Sequence, residues 1–154
     1  LDLALLESRP TLPDLCVEEI GTDRLCAVMA PDSPFAAGEA LTLEQLATAP
    51  LLVREQGSTA RAVLQRALES RDLPLQPLWE SVSTEALLQA AARGLGVAVL
   101  PEARARAAVA RGQVCLRPIA EPGLVRRHVA AWHKEKYLTA SMQRFLALCR
   151  DPSC

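Results

Sequence analysis

Residues 51–61 read LLVREQGSTAR, a short apolar run followed by a glycine and by polar residues that can begin a helix. A continuously apolar strand is typical of a parallel sheet that is covered on both faces. Gly57 permits a sharp turn after the strand, and Ser58 is a residue type favoured at the N-cap of a helix. The stretch therefore predicts a strand, a tight loop and a helix, which together are the start of a βαβ unit.

The residues that follow repeat this alternation. From Ser58 to about Arg71 apolar side chains recur at helical spacing, which predicts an amphipathic helix. A strand at 75–82, a helix at 84–93 and the apolar run LGVAVL at 95–100 then predict a second unit of the same kind. The fold class is therefore α/β, with helices on the faces of a sheet.

The flanking segments predict shorter elements. Thr42 and Gln45 have the spacing of a capping box at the start of a helix. Pro101 is expected to open a helix that ends near 111, and Gly21 is expected to break a strand in two. The other predicted elements are strands at 1–6, 15–20, 25–30, 114–119 and 124–132, a turn at 121–123, and a last helix with Leu138, Met142, Phe145, Leu146 and Cys149 on one face.

Composition excludes several classes of protein. Half of the 154 residues are apolar and 23% are charged, so the chain can bury a core and is not wholly disordered. The net charge of −1 gives no indication of a nucleic-acid or membrane partner. The five cysteines are scattered, without a CxxC spacing, and no signal or membrane-spanning segment is visible. We therefore expect a cytoplasmic protein with free thiols.

Two strand-to-helix junctions carry the candidate site. In an open α/β sheet, ligands bind beyond the carboxyl ends of the strands, where the N-termini of helices favour anions. The candidate residues are Gln56, Gly57, Ser58, Thr59 and Arg61 at the first junction, and Val82, Ser83 and Thr84 at the second. A bound anion would offset the cost of a cation at Arg61 in a first helical turn. Spacing alone leaves open that the two serines are only caps and that Arg61 pairs with an acid such as Glu55.

No catalytic or metal-binding pattern is visible. The sequence contains no nucleophile elbow, phosphate loop or HExxH motif. His128 and His133 lie at odd separation on one predicted strand, so they point to opposite faces and cannot share a metal. We expect no enzyme activity, no metal and no cofactor.

Three segments in a fixed order carry a resemblance to a known family: LDLALLE at 1–7, PLLVREQGSTAR at 50–61 and GLGVAVLP at 94–101. In this order the chain resembles the effector-binding domain of LysR-type bacterial transcription regulators. The resemblance implies a type 2 periplasmic-binding-protein-like fold, with two Rossmann-like lobes joined by crossover strands. It assigns residues 1–30 and 119–154 to an incomplete first lobe and residues 31–118 to the second lobe.

The resemblance also implies a function and partners. A small, anionic metabolite would bind between the lobes at the eight candidate residues and change the geometry of a homodimer or homotetramer. DNA would be bound only through an N-terminal winged helix-turn-helix, which this sequence lacks; its abrupt apolar start indicates a fragment. The alternative is a periplasmic solute-binding protein of a transporter, which shares the fold but would be exported. The scattered cysteines argue against export.

Overall fold

The predicted strand, loop and helix around Gly57 are present in the computed structural model, which describes residues 2–120 and 124–150. The chain divides into two compact units, a smaller one (Leu1–Asp23 with Arg126–Cys154) and a larger one (Arg24–Val125). The strands are β1 (Ala4–Leu6), β2 (Leu15–Met29), β3 (Leu51–Arg54), β4 (Pro77–Ser81), β5 (Val97–Pro101), β6 (Cys115–Pro118) and β7 (Val125–His133). The helices are α1 (Leu43–Thr48), α2 (Thr59–Glu69), α3 (Thr84–Ala92), α4 (Glu102–Ala110) and α5 (Ala140–Cys149), and a 3₁₀ turn spans Pro34–Ala36.

A mixed sheet forms the centre of the larger unit. Strand β3 pairs in parallel with β4 on one side and β5 on the other, and β5 pairs antiparallel with β2. Strand β6 lies antiparallel on β2. Because β3 and β4 are parallel and Arg54 lies beside Ser81 in their register, the carboxyl ends of both strands meet at one edge. This register places the two predicted junctions side by side.

Helices cover both faces of this sheet, as the apolar strands predict. Successive residues of a strand point to opposite faces, so Leu51 and Val53 enter one apolar cluster and Leu52 enters the other. The first cluster includes Leu64 and Leu68 of α2, and the second includes residues of α3 and α4. The three apolar residues of β3 are therefore each buried on the side to which they point.

The core position of Cys26 makes a testable prediction. Burial, with a smaller contribution from the charge of Glu102, raises the pKa of the Cys26 thiol to about 12. Against the ordinary value of 9.0, we expect native Cys26 to react with iodoacetamide at pH 8 at least about tenfold more slowly than an ordinary thiol, because far less of it is thiolate. Peptide mass spectrometry after timed alkylation measures this, with the denatured chain as the control. Equal rates before and after denaturation would contradict it.

The smaller unit contains β1 paired antiparallel with β7, the first part of β2, and α5. Strand β2 runs without interruption through Gly21, so the predicted break is wrong: Gly21 adopts no left-handed backbone there. In α5, Met142, Leu146 and Cys149 are at least partly buried as predicted, but Phe145 is exposed. The predicted turn at 121–123 lies outside the described residues.

In the part of the chain that the structure describes, no helix has the length and apolar character needed to cross a bilayer.

Candidate functional site

The carboxyl-end edge of β3 and β4 brings both predicted segments together. Helix α2 begins five residues after Arg54, and α3 begins three residues after Ser81, its neighbour in the parallel register. The intervening loop turns at Gly57, whose φ of +90° lies in the left-handed region that favours glycine. Two helix N-termini therefore follow adjacent strand ends.

The two helices start differently. The Ser83 hydroxyl accepts a hydrogen bond from the Ala86 amide at 3.1 Å, so Ser83 caps α3, as the alternative left open by spacing allowed. Ser58 occupies the N-cap position of α2 with extended backbone, but its hydroxyl makes no capping hydrogen bond. The first-turn amides of α2 consequently have no side-chain acceptor from their N-cap, and unpaired amides of this kind favour an anion.

Arg54 connects the two junctions, although it was not among the candidate residues. Its Nε and Nη2 donate to the two carboxylate oxygens of Glu55 at 2.8 and 3.0 Å, and its Nη1 donates to Thr84 Oγ1 at 3.0 Å. The hydrogen bonds from Arg54 lower the pKa of the Glu55 carboxyl below its ordinary value. A cation that directly ends a buried apolar strand was the available signal. Arg54 thus spans from the end of β3 to the start of α3.

Arg61 is bound at the carboxyl-end edge of β3 and β4. Its Nη1 lies 2.7 Å from a carboxylate oxygen of Glu80 and donates to the Arg54 carbonyl at 3.2 Å. Only 10% of its side chain is exposed. The partner is therefore Glu80 of β4 rather than Glu55, and the acid compensates for a cation in the first turn of a helix. The pair joins α2 to the ends of both β3 and β4.

The remaining candidate residues lie at this edge and differ in their exposure to solvent. Gln56, Gly57 and Ser83 are exposed, and Ser58, Thr59 and Thr84 are partly buried. Val82 has 73% of its surface exposed, between the end of β4 and the start of α3. The edge therefore offers hydroxyls, amides and an apolar side chain to solvent, next to the Arg54 guanidinium.

Two cavities in the larger unit lie elsewhere. One, of about 240 Å³, is lined by residues that include Pro50, Gly94 and Gly96, at the amino ends of β3 and β5. The other, of about 470 Å³, lies between α4 and β6. Neither is lined by a candidate residue. Among residues 2–120 and 124–150, no group of three or more His, Cys, Asp or Glu side chains could hold a metal ion.

Comparison with known proteins decides the family. The sequence model of the LysR substrate binding domain matches residues 1–152. The chain belongs to this family. As a LysR substrate-binding domain, it is 31% identical over 153 residues to the uncharacterized HTH-type transcriptional regulator YeiE of Escherichia coli K12. That match covers 99% of this chain and 52% of YeiE, so the chain spans about half the length of this curated relative.

Solved structures show the same fold. The regulatory domain of CcmR from Synechocystis PCC6803, in complex with 2-PG, matches with a TM-score of 0.84 and 26% identity, over 97% of this chain and 72% of that one. The effector-binding domain of QuiR, in complex with shikimate, matches with a TM-score of 0.81 and 18% identity, over 96% and 69%. The type 2 periplasmic-binding-protein-like fold of this LysR substrate-binding domain is therefore confirmed.

Proposed function

We propose that this LysR substrate-binding domain senses a small, anionic metabolite at the carboxyl ends of β3 and β4. The observation that carries the proposal is the position of Arg54, which ends β3, contacts Thr84 at the start of α3, and keeps a quarter of its side chain exposed. A guanidinium beside two helix N-termini gives one small region several donors for a carboxylate or phosphate.

The proposed site consists of the eight predicted residues, with Arg54 added. Gln56, Gly57, Ser58 and Thr59 contribute the loop and first turn of α2, and Val82, Ser83 and Thr84 contribute the start of α3. Arg61 would position the loop rather than contact the effector, since its guanidinium is already bound by Glu80 and the Arg54 carbonyl. The ligands of CcmR and QuiR support a small organic effector for this chain as well.

The mechanism we propose is a population shift. An effector that binds one conformation of the regulator more tightly than another favours the first, and the change is transmitted through a homodimer or homotetramer. DNA would be contacted by another segment of the intact protein, as the HTH-type relatives suggest. Residues 1–30 with 119–154 and residues 31–118 would be the two lobes. The domain would act in the cytoplasm without making or breaking a bond.

The transcription-regulator relatives favour this function over a periplasmic solute-binding protein. Scattered thiols support the same choice, because the four cysteines of the described residues are free and an exported protein meets an oxidising compartment.

Two serine variants test the proposed site. We expect Ser58→Ala to change the free energy of unfolding by less than about 0.5 kcal/mol, since its hydroxyl makes no cap bond. Ser83→Ala loses a cap and should cost about 1 kcal/mol. Both should weaken effector binding by about 2- to 10-fold, the worth of one hydrogen bond. Denaturant unfolding and calorimetric titration measure the two quantities.

Ser70→Ala is the matched control. Ser70 ends the same helix α2, away from the site, and its hydroxyl donates to the Ala67 carbonyl. Its effector affinity should equal that of the wild type. Unchanged affinity in both Ser58→Ala and Ser83→Ala would show that the effector binds elsewhere.

A further inference from the structure

The Arg54 guanidinium holds a carboxylate in the arrangement that an anionic ligand would take. Glu55 occupies the Nε and Nη2 edge with two hydrogen bonds of 2.8 and 3.0 Å. This is the forked edge on which arginine binds carboxylate and phosphate with two parallel bonds. The neighbouring Nη1 is directed to Thr84 Oγ1, at the start of α3. Glu55 is therefore positioned where an incoming anion would compete with it.

The Glu55 carboxylate can be displaced. The side chains of Arg54 and Glu55 are 25% and 34% exposed, so water screens their attraction and the pair adds little stability. Glu55 is also the next residue in the chain and precedes the exposed loop at Gln56 and Gly57, so its side chain can leave the guanidinium without disturbing the sheet.

The guanidinium of Arg61, also at this edge, is already bound by other groups of the protein. Arg61 is only 10% exposed and is bound both by Glu80 at 2.7 Å and by the Arg54 carbonyl at 3.2 Å. Releasing it would leave a nearly buried charge without a partner, which is costly. An anion that reaches this edge therefore meets Arg54 rather than Arg61.

We infer that Arg54 is the specificity-determining residue of the site and that Glu55 is its internal competitor. The effector would carry a group with two oxygens on one centre, a carboxylate or a phosphate, which exchanges with the Glu55 carboxylate on the Nε and Nη2 edge. Neutral metabolites would be rejected, because they cannot replace the charge that Glu55 supplies. The inference rests on the proposed function and names the chemical class of ligand for the same site.

The experiment is a calorimetric titration of the intact protein and its variants at constant ionic strength. The probes are inorganic phosphate, acetate and shikimate, which separate phosphate, simple carboxylate and hydroxylated carboxylate. We expect Glu55→Gln to raise the affinity for at least one of them by about 5- to 10-fold, since a charged competitor is removed. Arg54→Met should lower it at least about tenfold.

The double variant separates direct competition from a general effect of charge. In Arg54→Met/Glu55→Gln the gain should vanish, because Glu55 acts only through the guanidinium. Glu39→Gln removes the same charge from an exposed position of the larger unit and should leave affinity unchanged. Denaturant unfolding of every variant shows whether the site remains folded.

Each outcome decides the question. An equal gain from Glu55→Gln with and without Arg54 would overturn the competition. If Ser83→Ala weakens a probe that Arg54→Met leaves unaffected, the site stands and the inference about Arg54 fails. If no probe binds the wild type or Glu55→Gln, the inference fails as well. A neutral metabolite whose binding Ser83→Ala weakens would then leave the location of the site standing but overturn the anionic ligand class.

Discussion

Replacing Gly96 by alanine is expected to lower the free energy of unfolding by about 3 kcal/mol, at the upper end of the range for overpacked positions. A Cβ at this position would lie 2.1 Å from the Pro50 carbonyl oxygen, closer than real Cβ atoms come to any atom. The same oxygen accepts a hydrogen bond from the Val97 amide at 2.9 Å. Relief of the clash would therefore pull apart β3 and β5 where their pairing begins.

Denaturant unfolding measures the effect, and Gly21→Ala is the matched control. A Cβ at Gly21 has no atom within 4 Å, and its backbone is not left-handed. This control should stay within about 0.5 kcal/mol of the wild type. A loss below about 1 kcal/mol for Gly96→Ala would show that β3 and β5 do not approach each other as closely as the 2.1 Å contact requires.

Arg126→Met is expected to lower the free energy of unfolding by a similar amount, about 3 kcal/mol at neutral pH. The substitution removes a nearly buried cation and leaves its acidic partners without it. Arg126 is 8% exposed and lies in the smaller unit. Its Nε donates to Asp23 at 2.8 Å, a second hydrogen bond joins its Nη2 to the same carboxylate, and its Nη1 donates to Glu7 at 2.7 Å. His128 lies 3.3 Å from Asp23.

The cost of Arg126→Met should depend on pH. Burial would raise the pKa of Asp23, but the hydrogen bonds and charge of Arg126, aided by His128, outweigh it and lower that pKa below its ordinary value of 3.8. A carboxyl with a lowered pKa in the folded state stabilises the fold above its unfolded pKa and loses that contribution as the pH falls through the folded value. The difference between wild type and variant should be full at pH 6 and shrink below about pH 4.

Arg127→Met is the matched control for the loss of stability in Arg126→Met. Arg127 is the next residue, is 73% exposed and approaches Glu19 only to 3.5 Å. Its loss should change the free energy of unfolding by less than about 1 kcal/mol, as for other exposed ion pairs. If the two arginine variants lost equal stability, the buried ion cluster would have no special role.

The local elements could be predicted from the sequence because each depends on neighbouring residues. The helix after Ser58 follows from apolar spacing, and the capping box of Thr42 and Gln45 forms as predicted. The single strand through Gly21 could not be predicted, because a glycine in a sequence can either break a strand or lie within a continuous one.

The two junctions could be predicted from the sequence, but not the contacts that join them. Arg54 and Thr84 are thirty residues apart, and only the parallel register of β3 with β4 brings them within 3.0 Å. The same register selects Glu80 instead of Glu55 as the partner of Arg61. Spacing along the chain does not reveal such contacts, whereas residue types at the ends of strands can be read without them and predict a candidate site.

The most direct test of the account is a thermal-shift titration of the intact protein with small carboxylates, phosphates and neutral metabolites, repeated with Arg54→Met and Ser83→Ala. A ligand at 100 times its Kd adds about 2.7 kcal/mol to the stability of the form that binds it. We predict that an anionic compound stabilises the wild type and that both substitutions reduce its affinity. Stabilisation that survives both substitutions, or that only neutral compounds produce, would contradict anion sensing at the ends of β3 and β4.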